Sequence, residues 1–181
     1  MSKTIVTTDT PVAAPKSGRG PSHTLSVLVN NEPGVLMRIC QVFSRRAFNI
    51  DSLVVSEGRN ANFSRMTIGI SGDPKGLGQI IMQVNKLIDV IHCSEHDSED
   101  AVVKEMILVK FLACDEKRTQ ALQIIEHFGG KTVDLTPTSM IALISGNSSK
   151  IDAAIAMCSQ FEIIETVRTG KVVMARGEQP T

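Results

Sequence analysis

The hydrophobic residues of this chain follow one order of spacings twice, and that repeat constrains the fold more than any other feature of the sequence. In the first half, apolar residues alternate over 25–29 and then recur at helical spacing over 36–43. Two alternating runs, a second helical run and a short closing run follow. The second half repeats this order, beginning with alternation over 107–111 and helical spacing over 122–128. The repeat predicts an α+β fold of two βαββαβ ferredoxin-like units, each an antiparallel sheet with helices on one face.

Breaks in this periodicity divide the chain into five segments. Residues 1–22 carry Pro, Thr, Ser and Gly without a continuous apolar run, and we expect a disordered leader there. The two units occupy residues 23–96 and 105–177. Between them we expect a linker over 97–104, because it opens with a short acidic run, and residues 178–181 form a tail.

The composition argues against several classes of protein. Nineteen basic residues balance nineteen acidic ones, so no global charge favours nucleic acid or an anionic membrane. No apolar run is long enough to cross a bilayer. The four cysteines form no CxxC pair, which indicates free thiols in a reducing compartment. We therefore expect a cytoplasmic protein that binds neither nucleic acid nor a membrane.

Motifs that carry catalysis are absent from the sequence. It contains no phosphate-binding glycine loop, no nucleophile elbow and no dinucleotide-binding glycine motif. The cluster of His92, Cys93, Glu95 and His96 lies on a predicted strand end rather than on a helix that would converge metal ligands, so we expect no metal there. An RNA-recognition module shares the βαββαβ order, but its strands need stacking aromatics, and only Phe63 adjoins the third strand.

The turn between the first strand and the first helix is the best candidate for a binding site. Free backbone N–H groups at a helix N-terminus attract a small carboxylate. An ordinary turn, with Asn31 capping the helix and Pro33-Gly34 setting the corner, also explains this segment. It explains less well Asn49, which begins the next strand among aliphatic residues. A pocket with donors, amide oxygens and aliphatic walls suits a branched amino acid.

Six segments, in order along the chain, closely resemble one known family, the regulatory (small) subunits of acetohydroxyacid synthase, also called acetolactate synthase. The resemblance runs from about His23 to the end of the second unit. It implies an N-terminal ACT domain and a C-terminal ACT-like domain. The six segments are NNEPGVLMRICQVFSRRAFNIDSLVV, SRMTIGISGD, KLIDVIHCSE, MILVKF, GGKTVDLTP and VRTGKVVMARG.

The resemblance implies a noncatalytic role. Such subunits bind and activate a catalytic (large) subunit, and thiamine diphosphate, Mg and FAD are expected on that partner and none on this chain. They also confer feedback inhibition by valine or another branched-chain amino acid, bound between two ACT domains. A homodimer or higher homo-oligomer is therefore expected, which agrees with sheet edges that carry little to protect them. An amino-acid-responsive regulator of a different enzyme is the alternative.

The resemblance also implies an effector site at the positions of this sequence that match the family. The resemblance implies that the first loop presents N–H groups to the effector carboxylate and that Asn49 helps to hold its ammonium group. Met37 and Val54 stand where relatives often have Ser or Thr, so the sequence leaves open which branched-chain amino acid is preferred. The loop residues are Asn31, Glu32, Pro33 and Gly34, followed by Val35, and the expected walls are Val29, Leu36, Val54 and Val55.

Overall fold

The computed structural model describes residues 22–97, 99–113 and 115–181 of the 181-residue chain. The expected leader therefore lies outside the described residues, apart from Ser22, which begins the first strand. The first half has the predicted βαββαβ order. Its elements are β1 (Ser22–Asn30), α1 (Val35–Arg45), β2 (Asn49–Glu57), β3 (Phe63–Ser71), α2 (Pro74–Val84) and β4 (Val90–Glu95).

The first half forms one antiparallel sheet in the order β2-β3-β1-β4, so β2 and β4 are its edge strands. Alternation sends Leu25 and Val27 to the same face of β1, where they lie opposite Ile68 and Met66 of β3. Phe43 of α1 packs on this face and is fully buried. The strict alternation and the helical spacing therefore meet in one aliphatic core, as predicted.

The second half repeats the order and adds one strand. Its sheet runs β6-β7-β5-β8, and α3 and α4 contribute to its core, in which Phe111 and Phe161 stack with ring centroids 5.2 Å apart. The predicted α+β class with two ferredoxin-like units is thereby confirmed. Its elements are β5 (Ala101–Leu112), α3 (Asp115–His127), β6 (Lys131–Leu135), β7 (Ser139–Gly146), α4 (Ser148–Cys158), β8 (Ile163–Arg168) and β9 (Val172–Ala175).

The linker expected over 97–104 is shorter in the structure. Residues Ala101–Lys104 are the first part of β5 and pair antiparallel with β9, forming a two-stranded ribbon beside the main sheet. The expectation was wrong for this part because the strand partner, β9, lies about 70 residues further along the chain, where local sequence does not reveal it.

The outer face of the first sheet lies against the second half. Thr24 and Ser26 on this face are buried although they are polar. A β-carbon added to Gly170 would stand 2.9 Å from Val54 Cγ2, and Lys171 Nζ donates to Ser22 Oγ at 3.2 Å. The loop between β8 and β9 therefore sits on β2, and the first sheet has helices on one face and the second half on the other.

The cysteines of the described part are free thiols. Cys93 and Cys158 are buried and Cys40 is half-buried. Burial raises the pKa of the Cys93 thiol from 9.0 to about 12, and it raises the pKa of the Cys158 thiol as well. These two side chains therefore serve as small core residues rather than as nucleophiles.

Candidate functional site

The start of α1 carries no side-chain cap. Its N-cap is Gly34, whose φ of 86° lies in the left-handed region that glycine tolerates. By contrast, Asp73 accepts a hydrogen bond from the Lys75 amide at the start of α2, and Asn147 accepts one from the Lys150 amide at the start of α4. The amides that a cap would satisfy in α1 therefore remain open to another acceptor.

Three backbone amides are open at this helix start. The N–H groups of Gly34, Leu36 and Met37 donate to no acceptor among the residues that the structure describes. The first turn contains no acidic residue that would compensate the positive end of the helix dipole. This geometry suits a small anion, and a carboxylate fits it because it can accept two or more N–H bonds at once.

Asn31 does not cap α1, contrary to the ordinary-turn interpretation. Its side-chain Nδ2 donates to the Ala61 carbonyl at 2.9 Å, and its Oδ1 accepts from Ser64 Oγ at 2.9 Å. Both ends of the amide are thus used, one to tie the first loop to the turn between β2 and β3 and the other to tie it to the start of β3. The side chain supports the loop and leaves the helix N–H groups free.

The other predicted loop donors divide in the same way. The Asn31 amide donates to the Asn62 carbonyl at 2.8 Å, and the Glu32 amide donates to the Asn30 carbonyl at 2.9 Å. Pro33 has no N–H to offer. Of the four loop positions, only Gly34 presents a free donor. The sequence predicts free N–H groups at this helix start, and in the structure two of the three belong to the first helical turn, at Leu36 and Met37, rather than to the loop.

The aliphatic side chains near this loop differ in exposure. Leu36 is 38% exposed and Met37 is 65% exposed, so both are available to a ligand. Val35 is buried in the core, and Val29 is fully buried there. The expectation that Val29 forms a pocket wall is therefore corrected, because its alternation places it on the covered face of β1.

Val54 and Val55 do not share a pocket, because neighbouring residues of a strand point to opposite faces. Val54 lies opposite Thr67 and approaches Gly170 of the second half. Val55 lies opposite Met66 on the helix-covered side and is 44% exposed. Of the two, only Val55 faces the side on which α1 lies.

Asn49 is far from the first loop within one chain. It lies opposite Ser71 at one end of β3, whereas Asn30 lies opposite Phe63 at the other end. The eight intervening steps correspond to about 26 Å of strand. The Asn49 side chain donates to Asp51 Oδ1 at 2.5 Å. A single chain therefore does not bring the predicted carboxylate and ammonium contacts together.

A charged pair that the sequence analysis did not select adjoins the loop. Arg38 Nε donates to Asp89 Oδ2 at 2.7 Å, and Arg38 Nη1 lies 3.1 Å from the position of a β-carbon on Gly34. Arg38 follows Gly34 by four residues, one helical turn, and this spacing is the signal that would have pointed to it.

A cleft lies between the two halves. It has a volume of about 550 Å³ and is lined by residues of both halves, including Ser52 and Lys171. Two of its charged side chains pair with each other, since Arg168 donates to Glu105 at 2.6 Å; Arg168 also donates to Asp152 at 2.7 Å. This network accounts for the buried Glu105 carboxylate as a structural group.

Within residues 22–97, 99–113 and 115–181, no group of three or more histidine, cysteine, aspartate or glutamate side chains is arranged to hold a metal ion. None of the helices in the same residues is long and apolar enough to cross a membrane.

Comparison with known proteins covers both halves of the chain. Residues 25–92 match the family described as the AHAS small subunit-like ACT domain, and residues 104–177 match the family described as the small subunit of acetolactate synthase. The first match covers the first unit of the fold and the second match covers the second unit.

Individual relatives agree with these matches. A probable acetolactate synthase small subunit from Archaeoglobus fulgidus is 42% identical over 157 residues, which are 87% of this chain and 98% of the relative. The acetolactate synthase small subunit from Mycobacterium bovis is 40% identical over 156 residues, 86% of this chain and 93% of the relative.

A solved structure extends the agreement to three dimensions. The crystal structure of the acetolactate synthase small subunit from Thermotoga maritima superposes with a TM-score of 0.80 at 37% identity and covers 88% of this chain and 99% of that one. Family matches, relatives and fold all agree. This chain therefore belongs to the family of acetolactate synthase small subunits, noncatalytic members of an enzyme complex.

Proposed function

We propose that this chain binds and activates the catalytic subunit of acetolactate synthase and makes it subject to feedback inhibition by valine or another branched-chain amino acid. The observation that carries the proposal is the uncapped start of α1, where the amides of Gly34, Leu36 and Met37 have no acceptor within the described chain. Leu36 and Met37 add exposed aliphatic surface beside these donors. Together they suit a small branched amino acid.

A homodimer completes the site in this proposal. β2 is an edge strand and pairs with β3 on one side only. Antiparallel pairing of β2 with β2 of a second copy places the start of one strand beside the end of the other. Glu57, at the end of β2, lies opposite Ser64, which holds Asn31. The Asn49 of the second copy thus arrives at the end of the sheet that carries the first loop.

The proposed regulation follows from a ligand that touches two copies. An effector held by the first loop of one copy and by Asn49 of the other favours the dimer arrangement in which both contacts form. The catalytic subunit responds to that arrangement with lower activity. Linkage requires that the catalytic subunit change the affinity for valine by the same factor by which valine changes the affinity of the two subunits.

Thiamine diphosphate, Mg and FAD belong to the catalytic subunit, and this chain acts in the cytoplasm as a homodimer or higher oligomer. The balanced charge and the lack of a stacking platform support a protein that binds neither nucleic acid nor a membrane. Copurification with a large thiamine-dependent subunit separates this role from regulation of another enzyme.

The test is calorimetric titration of L-valine, L-leucine, L-isoleucine and D-valine into the full chain, alone and together with the catalytic subunit. We expect saturable binding of an L-amino acid in at least one of the two conditions. Gly34→Asp introduces a carboxylate and a strained backbone at the proposed docking point, so binding and feedback inhibition are lost while activation of the catalytic subunit persists.

Gly78→Asp is the matched control, because Gly78 is exposed and an added β-carbon meets nothing within 4 Å. This variant retains both activation and inhibition. The proposal is overturned if none of the amino acids binds in either condition, or if Gly34→Asp stays sensitive to the effector.

A further inference from the structure

Asp89 holds both ends of the first loop. Its backbone carbonyl accepts from the Asn30 amide at 2.8 Å, at the end of β1. Its carboxylate accepts from Arg38 Nε at 2.7 Å, in the first turn of α1. The Asp89 side chain is only 10% exposed, so it keeps a fixed position between β4 and the loop. The hydrogen bond to Asp89 therefore fixes the position of the Arg38 guanidinium.

The pairing with Asp89 leaves one edge of the guanidinium unused. Only Nε is bound by Asp89, and neither Nη group of Arg38 donates a hydrogen bond within residues 22–97, 99–113 and 115–181. The Arg38 side chain is 44% exposed, so a ligand can reach this edge. A planar guanidinium that is held through one nitrogen is preorganised for a second, two-pronged contact.

The free edge lies beside the open amides. Arg38 Nη1 is 3.1 Å from the position of a β-carbon on Gly34, and Gly34 carries one of the three unpaired N–H groups. The Arg38 amide in turn donates to the Gly34 carbonyl at 3.1 Å, which fixes the spacing of the two residues. A carboxylate that accepts from the Gly34 amide therefore lies within reach of the guanidinium.

We propose that Arg38 is a recognition residue for the carboxylate of the effector and that Asp89 is the residue that positions it. The inference rests on the proposed function and adds a charged contact to it. The Nη edge of Arg38 donates to the effector carboxylate together with the free amides of α1. An amino acid is then distinguished from its neutral amide mainly by a charge-assisted hydrogen bond.

The same contact explains why Gly34 has to be small. A side chain at this position displaces the guanidinium as well as straining the backbone. Removal of the Arg38 charge and enlargement of Gly34 therefore impair the same contact by two routes.

The test compares L-valine with L-valinamide, which keeps the side chain and the ammonium group but lacks the carboxylate. Both are titrated into the full chain and into its complex with the catalytic subunit. In the unmodified protein we expect valine to bind more tightly than valinamide. Arg38→Gln lowers the affinity for valine about 10- to 100-fold, the usual range for a lost hydrogen bond to a charged group. The affinity for valinamide changes much less.

The matched control is Arg45→Gln, which removes an exposed arginine from the last turn of the same helix. It leaves the affinities for both ligands unchanged. Arg38→Lys keeps the charge without the planar fork. Its affinity for valine lies between that of the unmodified protein and that of Arg38→Gln. Asp89→Asn reduces the preference for valine over valinamide although Asp89 does not touch the ligand, because it releases the guanidinium.

The ratio of the two affinities separates recognition from general damage. A loop that is merely distorted binds both ligands more weakly by the same factor. An unchanged ratio in Arg38→Gln, with valine still bound by the unmodified protein, overturns the role of Arg38 and leaves the proposed function standing. If the unmodified protein binds no branched-chain amino acid in either condition, the proposed function fails and the inference fails with it.

Discussion

Asn31 and Asn49 lie at opposite ends of β3 in one chain, about 26 Å apart along the strand. Two copies joined through their β2 edges bring the Asn49 of one copy to the end of the sheet that holds Asn31 of the other. The distance thus favours a site that two chains share, and this arrangement has a measurable consequence.

Mixing two defective variants restores binding if the site is shared. Gly34→Asp and Asn49→Ala each abolish effector binding in a homodimer. In a mixed dimer, one site carries both defects and the other carries neither. After random exchange of subunits, about one quarter of all sites are intact. Calorimetry of the mixture gives the stoichiometry directly, and complete absence of binding after proven exchange points to a site within one chain.

Asn31→Ala loosens the first loop. The substitution leaves the Ala61 carbonyl and Ser64 Oγ without the partner seen in the structure, and Ser64 is buried. We expect the free energy of unfolding to fall by about 1–3 kcal/mol and effector affinity to decrease, measured by urea denaturation and calorimetry. Asn62→Ala is the control, since its exposed side chain can be removed while its carbonyl still accepts from Asn31. Equal stability of the two variants contradicts the supporting role of Asn31.

Arg168→Ala exposes the cost of an unpaired buried carboxylate. Glu105 is 5% exposed and relies on Arg168, with Ser148 as a second donor. Because Arg168 is itself partly exposed, we expect the free energy of unfolding to fall by about 1–3 kcal/mol, less than for breaking a fully buried pair. Urea denaturation measures this change.

Asp152→Asn is the comparison for this network, because it removes the exposed partner of the same arginine. We expect it to lower the free energy of unfolding by less than about 1 kcal/mol, as is usual for exposed ion pairs. Adding Glu105→Gln to Arg168→Ala recovers part of the stability, since the charge left unpaired is then gone. A similar loss for Arg168→Ala and Asp152→Asn contradicts this account.

The buried thiols give a pH-dependent prediction. The unfolded chain releases the Cys93 proton near pH 9.0, whereas the folded chain holds it until the pKa of about 12. The unfolded state therefore binds fewer protons in this interval, and the free energy of unfolding falls as the pH rises from 9 towards 12. Below pH 9 the thiol makes no pH-dependent contribution, because it is protonated in both states.

Alkylation with iodoacetamide at pH 8, followed by peptide mass spectrometry, measures how far burial protects each thiol. We expect Cys40 to react well before Cys93 and Cys158, and all three to react at similar rates in denaturant. Rapid modification of native Cys93 contradicts its burial. Cys93→Ser removes the Cys93 contribution to this fall between pH 9 and 12, leaving that of Cys158, and serves as the control for the unfolding measurement.

The sequence was informative where the signal was local. Alternation at Leu25 and Val27 and helical spacing up to Phe43 specify β1, α1 and the face that each buries, and the structure agrees. The loop at Gly34 was recognised because its residue types and the unpaired amides of a helix start follow from a few neighbouring positions.

Contacts between residues that are distant in the chain could not be predicted from the sequence. An asparagine before a helix suits a cap, but the groups that Asn31 actually binds, near Ala61 and Ser64, lie about 30 positions away. Strand register, which separates Asn49 from the loop, is likewise set by pairing with β3. The Arg38–Asp89 pair joins residues 51 positions apart, so local spacing places Arg38 one turn after Gly34 but does not reveal its partner.

The two-stranded ribbon limits how this protein can be divided. Because β5 belongs to both the ribbon and the second sheet, a cut at residue 105 deprives β9 of its partner and uncovers the buried Thr24 and Ser26 of the first sheet. A fragment meant to carry the second unit therefore has to start before Ala101. Modular exchange of halves between relatives will succeed only if the loop after β8 and the strand surface it covers are transferred as a matched pair.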